Sequence, residues 1–198
     1  LHDALPILAM ELLGQLEQYR PFNEQEERDR DILLRCLREE GDIFTRDNAM
    51  AHMTASAWVV NRERTKVLMA YHNIYHSWSW LGGHADGERD LLKVAVREVM
   101  EESGLKQVRP VAEEVYSLEI LTVDGHVKRG VYVPSHLHLN VTYLLEADEH
   151  GQLRVKEDEN SGVAWFAPGD AVLASTEPWM RERIYMKLNA KMKLYGFI

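Results

Sequence analysis

The stretch LGGHADGERDLLKVAVREVMEESGL, residues 81–105, contains the features that decide the fold. It begins with the glycine pair Gly82-Gly83 and ends with several acidic residues close together. Asp90 is a residue type that caps helix N-termini, and Gly104 is the type that ends helices. The sequence therefore predicts a glycine-rich turn followed by a helix from about Leu91 to Ser103.

The predicted helix has two different sides, because its residues follow one another at about 100° around the axis. The apolar side carries Leu92, Ala95, Val96, Val99 and Met100, and the opposite side carries Arg97, Glu98, Glu101 and Glu102. A solvated face with Arg97 paired to Glu101 is the ordinary explanation of such charges. Three acids within a narrow arc nevertheless repel one another, and they lie toward the negative end of the helix dipole. A bound divalent cation would relieve both costs.

The glycine pair fits the same interpretation. Mg²⁺ prefers carboxylate and carbonyl oxygens as ligands and keeps positions open for water and substrate phosphate. Because Gly82 and Gly83 have no side chains, their backbone groups can closely approach a metal or a phosphate. The turn and the acidic side of the helix together predict a site for a hard divalent cation.

The same stretch resembles the Nudix box, whose family pattern is G-x5-E-x7-R-E-U-x-E-E-x-G-U, with U an aliphatic residue. All fixed positions but one match at the required spacing: Gly83, Arg97, Glu98, Val99, Glu101, Glu102, Gly104 and Leu105. The exception is Arg89, which stands at the first glutamate position, with Glu88 one residue earlier. On this pattern the chain is identified as a member of the Nudix superfamily.

The resemblance implies a fold and an activity. The fold would be of the α/β class, a Nudix-like α/β/α sandwich around a mixed sheet, covering residues 50–198. The activity would be hydrolysis of the diphosphate bond of a small molecule, a nucleoside diphosphate linked to another group. The cofactor would be Mg²⁺ or Mn²⁺, and a homodimer is possible.

The resemblance also implies roles for individual residues. Metal ligands would be the Gly83 carbonyl and the side chains of Glu98, Glu101 and Glu102. Arg97 would orient these glutamates. The catalytic base would be Glu98 or a late acid in the loop before a strand, which here is Glu159.

Arg89 is the departure from the family pattern. In the family, the glutamate at this position supports the metal-binding loop. A positively charged side chain at this position would either weaken one metal site or exchange one salt bridge for another. Alternatively, Glu88 could take the place of the missing glutamate. Because the rest of the box is intact, retained activity is the prediction.

Substrate contacts are predicted on either side of the box. The strand SHLHLNVTY places His136, His138 and Asn140 on one face, where they are candidates for hydrogen bonds to substrate. A His-x-His pair is also a transition-metal pattern when a third ligand is nearby, and an interior pair satisfied by hydrogen bonds is the third alternative. Trp80, in an aromatic segment before the glycines, is a candidate for stacking on a base or for core packing.

Composition limits the partners. The formal net charge of −9 argues against a nucleic-acid polymer as partner, because phosphate backbones are met by an excess of Lys and Arg. The single cysteine, Cys36, excludes an internal disulfide framework and favours the cytoplasm. No segment is long enough to predict a membrane span, so no membrane contact is expected.

Outside the box, the sequence predicts an N-terminal helical arm over residues 1–49 and a domain over 50–198. Asn23 is a candidate cap for the second arm helix, with Glu26 completing a capping box. The first seven residues, LHDALPI, match the translation of a common sequencing-adapter tail and are expected to be an artefact. The predicted elements are helices over 8–19 and 24–40, strands over 56–61, 65–73, 113–125, 136–148 and 161–167, and a terminal helix from near Thr176.

Two other functions remain as alternatives. A non-catalytic Nudix domain could bind a nucleotide as a sensor, and the loss of the glutamate at Arg89 favours that reading. Type I isopentenyl diphosphate isomerases share the fold and bind a divalent metal, but the resemblance to them requires a catalytic cysteine in the sheet region. Cys36 lies in the arm, which argues against an isomerase, whereas His136 and His138 are in its favour.

Overall fold

The N-terminal arm consists of two helices, α1 (Ile7–Gln18) and α2 (Glu24–Glu39). The computed structural model describes residues 7–39, 42–128 and 130–197, so most of the expected adapter tail, residues 1–6, lies outside the described residues. The Asn23 side chain accepts a hydrogen bond of 3.0 Å from the backbone N–H of Glu26, which confirms the predicted cap. The Glu26 carboxylate reaches back to the N–H of Phe22 at 2.8 Å, one residue before the cap.

A mixed eight-stranded sheet forms the centre of the protein, and the α/β class is confirmed. Its longest path runs β10-β2-β1-β9-β5, while β3 pairs with β2, β4 with β1 and β6 with β9. A separate hairpin is formed by β7 and β8. The strand bounds are β1 Ala51–Val60, β2 Val67–His72, β3 Ser77–Ser79, β4 Leu81–His84, β5 Val108–Pro110, β6 Ser117–Val123, β7 His126–Lys128, β8 Val131–Val133, β9 His136–Ala147 and β10 Asn160–Phe166.

The parallel pair β1 and β9 determines which side chains meet in the sheet. Its register aligns His52 with His138 and Thr54 with Asn140. Because side chains alternate between the two faces of a strand, these polar residues share one face, and Met53 aligns with Leu139 on the other. Histidine, hydroxyl and amide side chains therefore lie next to one another on this face of the sheet.

The helix α3 (Leu91–Ser103) matches its predicted bounds. Asp90 accepts a hydrogen bond from the N–H of Lys93 at 3.0 Å, and Gly104 ends the helix in the left-handed region at φ 74°. The predicted apolar side is rotated relative to the observed one, because Leu92 and Met100 are only partly buried and line a surface groove. The buried residues of the helix are Leu91, Val94, Ala95, Val99, Glu102 and Ser103.

Two apolar clusters fill the space beside the sheet. The first joins α3 and the arm helices to the face of β1 and β9 that carries Met53 and Leu139. The second lies between Trp58, on the opposite face, and the C-terminal helices, where the ring of Tyr185 stacks on Trp58 at 5.4 Å. The C-terminal elements are α4 (Pro168–Ala174), a π-helical segment (Met180–Tyr185) and α5 (Met186–Leu194). No helix of the described chain has the length and apolar character needed to cross a membrane.

Buried ion pairs attach the arm to the sheet and to α5. Glu26 on α2 is fully buried, and its carboxylate accepts from Lys191 at 2.8 Å and lies 3.2 Å from Lys187. Lys187 also contacts Glu119 of β6 at 3.0 Å. The arm is thus packed against the rest of the protein, while residue 50 as a domain boundary stays a prediction.

Candidate active site

The glycine pair lies on β4, next to the C-terminal half of α3. Gly82 aligns with Ser56 of β1, and a Cβ atom added at Gly82 would lie 2.5 Å from the carbonyl oxygen of Ala55. The backbone N–H of Gly82 donates a hydrogen bond of 3.0 Å to Glu102. The sheet therefore requires a glycine here, and that glycine holds one of the box glutamates.

Gly83 is packed in the same way against Glu98. A Cβ added at Gly83 would lie 2.5 Å from Cδ of Glu98, so the absence of a side chain leaves room for the carboxylate. Arg97 donates to the other oxygen of Glu98 at 2.8 Å and to the carbonyl of His84 at 3.4 Å. Arg97 thus connects the glutamate to the strand that carries the glycines.

The third glutamate and the late acid share a lysine. Lys156 lies 3.4 Å from a carboxylate oxygen of Glu101 and 3.1 Å from one of Glu159. Asn160, at the start of β10, donates to the main-chain carbonyl of Glu102 at 3.0 Å. The loop before β10 is therefore joined to the end of α3, and all four predicted acids lie in one region. The sequence analysis did not predict Lys156 and Asn160 as site residues. Their position beside Glu159 in the segment KEDEN is the sequence feature that could have indicated them.

The acids differ in exposure and in proton affinity. Glu102 is buried, and burial, followed by the charges of Glu159 and Glu98, raises its pKa to about 8. Burial also raises the pKa of Glu98, against the opposing effect of Arg97. Glu101 keeps 48% of its side chain exposed, compared with 13% for Glu98. Clustered carboxylates with raised proton affinity are a donor set that a hard divalent cation fits, since it would compensate their charge.

Arg89 and Glu88 lie at the other end of α3. Arg89 contacts Asp42 at 3.2 Å and covers the ring of Phe44 at 4.7 Å. Glu88 accepts from the N–H groups of Arg89 and Asp90 and from Lys93. A helix rises about 1.5 Å per residue, so this end is roughly 12 Å from Glu98 along the axis. In this arrangement Glu88 binds the backbone just before the N-cap residue Asp90 and does not join the glutamate cluster.

The predicted substrate contacts lie in three environments. The Trp80 ring packs edge-on against Tyr185 at 5.8 Å and belongs to the margin of the second apolar cluster. Asn140 is fully buried, and its amide makes four hydrogen bonds to side chains, three on the neighbouring strands β1 and β6 and one on β9 itself. It therefore has no bonding capacity left for a substrate, and we propose no substrate contact for it. His136 and His138 are partly buried and contact each other at 3.2 Å.

Two further histidines, missed by the sequence analysis, join the predicted pair. His84 contacts His138 through ring nitrogens 3.2 Å apart, and the ring of His52 lies 5.2 Å from that of His138. His84 directly follows Gly83, which is the one signal that the sequence offers. The pairing of β1 with β9 and β4, which creates the group, is not visible in the sequence.

Comparisons with known proteins agree with the observed fold. The family model described as NUDIX domain matches residues 50–187. The comparison with curated proteins gives no match.

Three solved structures illustrate the similarity of fold. An Ap4A hydrolase of C. elegans in a binary complex has a TM-score of 0.50 and 18% identity, covering 73% of this chain and 98% of that one. The MutT protein from Methanosarcina mazei Go1 has a TM-score of 0.55 and 12% identity, covering 73% and 96%. The E. coli dihydroneopterin triphosphate pyrophosphohydrolase has a TM-score of 0.50 and 13% identity, covering 74% and 96%. At these identities, the similarity is one of fold.

Proposed function

Because the chain belongs to the Nudix family and is a hydrolase of diphosphate bonds, we propose that it cleaves a nucleoside diphosphate linked to another group, with Mg²⁺ or Mn²⁺ as cofactor. The proposed metal ligands are the Gly83 carbonyl, Glu98, Glu101 and Glu102. Arg97 is proposed to orient Glu98. Glu159 is the second candidate for the general base.

One observation carries this proposal: two box glutamates converge on the glycine pair. Glu102 is held by the N–H of Gly82 at 3.0 Å, and Glu98 fills the space that a side chain at Gly83 would occupy. Burial, followed by the charges of Glu159 and Glu98, raises the pKa of Glu102, and this supports a cation at this place because a cation would stabilise the ionised form. Carboxylates that served only solubility would lie in solvent, away from the backbone of the sheet.

The residues of the chain have separable tasks in the reaction. When bound, a divalent cation would neutralise phosphate charge and lower the pKa of a coordinated water. Arg97 holds one oxygen of Glu98 at 2.8 Å, which leaves the other oxygen directed to the glycine side. Glu98 or Glu159 accepts the proton of the attacking water. Lys156 forms ion pairs with Glu101 and Glu159, which partly compensate their negative charge. The same pairs hold the loop before β10 next to the glutamates.

Burial favours Glu98 over Glu159 as the base. In the metal-free protein burial raises the pKa of Glu98, and its oxygen on the side of Gly83 lies within the proposed metal site, where the attacking water would be held. Glu159 is more exposed, and its carboxylate is paired with Lys156 at 3.1 Å. Glu98→Gln should therefore reduce kcat more than Glu159→Gln does.

The decisive experiment measures hydrolysis of a panel of phosphoanhydrides with Mg²⁺. The panel should include dinucleoside tetraphosphates, nucleoside triphosphates, dihydroneopterin triphosphate and nucleoside diphosphates joined to sugars. We expect turnover of at least one compound and a loss of about 100-fold or more in Glu102→Gln. The exposed Glu113→Gln is the matched control and should retain full activity.

Two results would contradict the proposal. Full turnover in Glu102→Gln and Glu98→Gln would remove the metal-site assignment. Tight nucleotide binding without hydrolysis of any compound would instead support the non-catalytic sensor. Cys36 lies on α2 and not in the sheet, which argues against the isomerase.

A further inference from the structure

Four imidazole rings meet at one end of the polar face of the sheet. His52 is on β1, His84 is on β4, and His136 and His138 are on β9. His52, His84 and His138 each offer a ring nitrogen, and these atoms all lie within 4.8 Å of one another. The Nε2 atom of His138 is 3.2 Å from that of His84 and 3.2 Å from that of His136. Three separate strands therefore direct nitrogen atoms to one point.

Backbone carbonyls determine which nitrogen carries the proton in two of these rings. Nδ1 of His52 lies 3.1 Å from the carbonyl oxygen of Asn48, and Nδ1 of His136 lies 2.9 Å from that of Pro134. A carbonyl only accepts hydrogen bonds, so both Nδ1 atoms are the protonated ones. When these two rings are neutral, their Nε2 atoms carry lone pairs. This is the arrangement that outer hydrogen bonds impose on metal-binding histidines.

Hydrogen bonding alone leaves this group unsatisfied. Nε2 of His52 is buried and makes no hydrogen bond within the described part of the chain. Nε2 of His138 faces two other ring nitrogens, yet it has either one proton or one lone pair and can make one good hydrogen bond. A cation at the centre would accept all the lone pairs.

We propose that His52, His84 and His138 bind a transition-metal ion such as Zn²⁺, with His136 as the fourth ligand. Zn²⁺ binds histidine nitrogen at about 2.0–2.1 Å, so the nitrogens of a tetrahedral site are roughly 3.3 Å apart. The two measured Nε2 separations of 3.2 Å match that edge. The ligand nitrogens of His52, His84 and His138 lie within 4.8 Å of one another, so His52 must move toward the other two rings to complete the site.

The site is chemically different from the glutamate cluster. It offers neutral nitrogen ligands, which suit Zn²⁺ and similar metals, whereas the glutamates offer the oxygen ligands that suit Mg²⁺. The ion would join β4 to β1 and β9 immediately beside Gly83, because His84 is the next residue. The bound ion would then stabilise the position of β4, the strand that carries the glycine pair. This inference does not depend on the proposed function.

Metal binding to the full chain tests the proposal directly. Protein stripped with a chelator and dialysed should bind one Zn²⁺ per chain in a calorimetric titration, in the presence of excess Mg²⁺. His138→Gln should weaken this binding by about 100-fold or more, since it removes a ligand. His150→Gln, at an exposed position, is the matched control and should bind like the original protein. Glu102→Gln should also retain Zn²⁺ binding, which separates this site from the glutamates.

A second measurement avoids dependence on folded variants. X-ray absorption spectra of the zinc-loaded original chain should show three or four imidazole ligands. Absence of Zn²⁺ binding, unchanged binding in His138→Gln, or a spectrum dominated by carboxylate oxygen would each overturn the proposal. Because phosphoanhydride hydrolysis is not part of these readouts, failure here leaves the proposed function standing, and failure of that function leaves this site standing.

Discussion

The backbone N–H of Gly82 donates a hydrogen bond of 3.0 Å to the carboxylate of Glu102, the most buried acid of the box. This bond favours the ionised carboxylate, but burial and the neighbouring acids oppose ionisation more strongly. Without a cation, Glu102 therefore retains its proton to a higher pH than an exposed glutamate does. The stability of the protein should report this directly.

The first prediction concerns the pH dependence of unfolding. The folded pKa of Glu102, about 8, lies above the unfolded value near 4.5, so the native state holds a proton that the unfolded state has released. The stabilisation is complete below pH 4.5 and is lost as pH rises through 8. In chelator, we expect the free energy of unfolding to fall by on the order of 3 kcal/mol between pH 5.5 and pH 8.5 through this group. Thermal or urea unfolding across this range measures it.

The control for this prediction is Glu102→Gln, which cannot ionise. Its unfolding free energy should change less with pH than that of the original chain. Excess Mg²⁺ should stabilise the original chain at the alkaline end and leave the variant nearly unaffected. Equal pH dependence in the two proteins would show that Glu102 is not the titrating group.

The second prediction separates the two glycines. In Gly83→Ala the new Cβ meets the end of the Glu98 side chain, which can move, so stability should change by less than about 1 kcal/mol while turnover falls about 10-fold or more. In Gly82→Ala the Cβ meets the backbone at Ala55, which cannot move, so about 3 kcal/mol of stability should be lost. Activity assays and urea unfolding measure the two effects. Gly169→Ala, with open space around it, should change neither.

The third prediction concerns the position at which the family pattern is broken. Arg89 contacts Asp42 and the Phe44 ring at the end of α3 remote from the glutamates. Arg89→Ala should therefore reduce the free energy of unfolding by about 1 kcal/mol and alter kcat/KM by less than about 3-fold. Arg97→Ala, which frees Glu98, is the comparison and should reduce kcat/KM about 10-fold or more. A large loss of activity in Arg89→Ala would mean that this arginine acts at the site.

Local signals explain why α3 could be predicted from the sequence to the residue. Asp90 and Gly104 are adjacent to the helix, and their capping chemistry needs no distant partner. The strands β4 and β5 were missed, because the first contains two glycines, the second ends in Pro110, and both are held by pairing with long strands far away in sequence. Local composition carries no record of that pairing.

The candidate site shows the same limit. The box predicted that Glu101 and Glu102 lie together. Neighbouring helix residues are rotated by about 100°, however, so Glu101 is half exposed and Glu102 is buried against β4. The histidine group depends on the parallel register that aligns His52 with His138, which is a tertiary feature. Asn140, read as a substrate contact, is used instead inside the sheet, since its amide is the polar partner of four neighbours.

The last prediction tests how the arm is held. Lys191 of α5 donates to Glu26 of α2 at 2.8 Å, and both side chains are buried. Lys191→Met leaves a buried carboxylate with less compensation, so about 3–5 kcal/mol of unfolding free energy should be lost in urea titrations. Adding Glu26→Gln to that variant removes the uncompensated charge and should recover part of the loss, because a buried ion pair contributes less than its broken half costs. Arg38→Ala breaks the half-exposed pair with Glu17, which joins the arm helices α2 and α1, and should cost less than about 1 kcal/mol. If Lys191→Met were as mild as Arg38→Ala, the arm would be held by its apolar contacts and not by this ion pair.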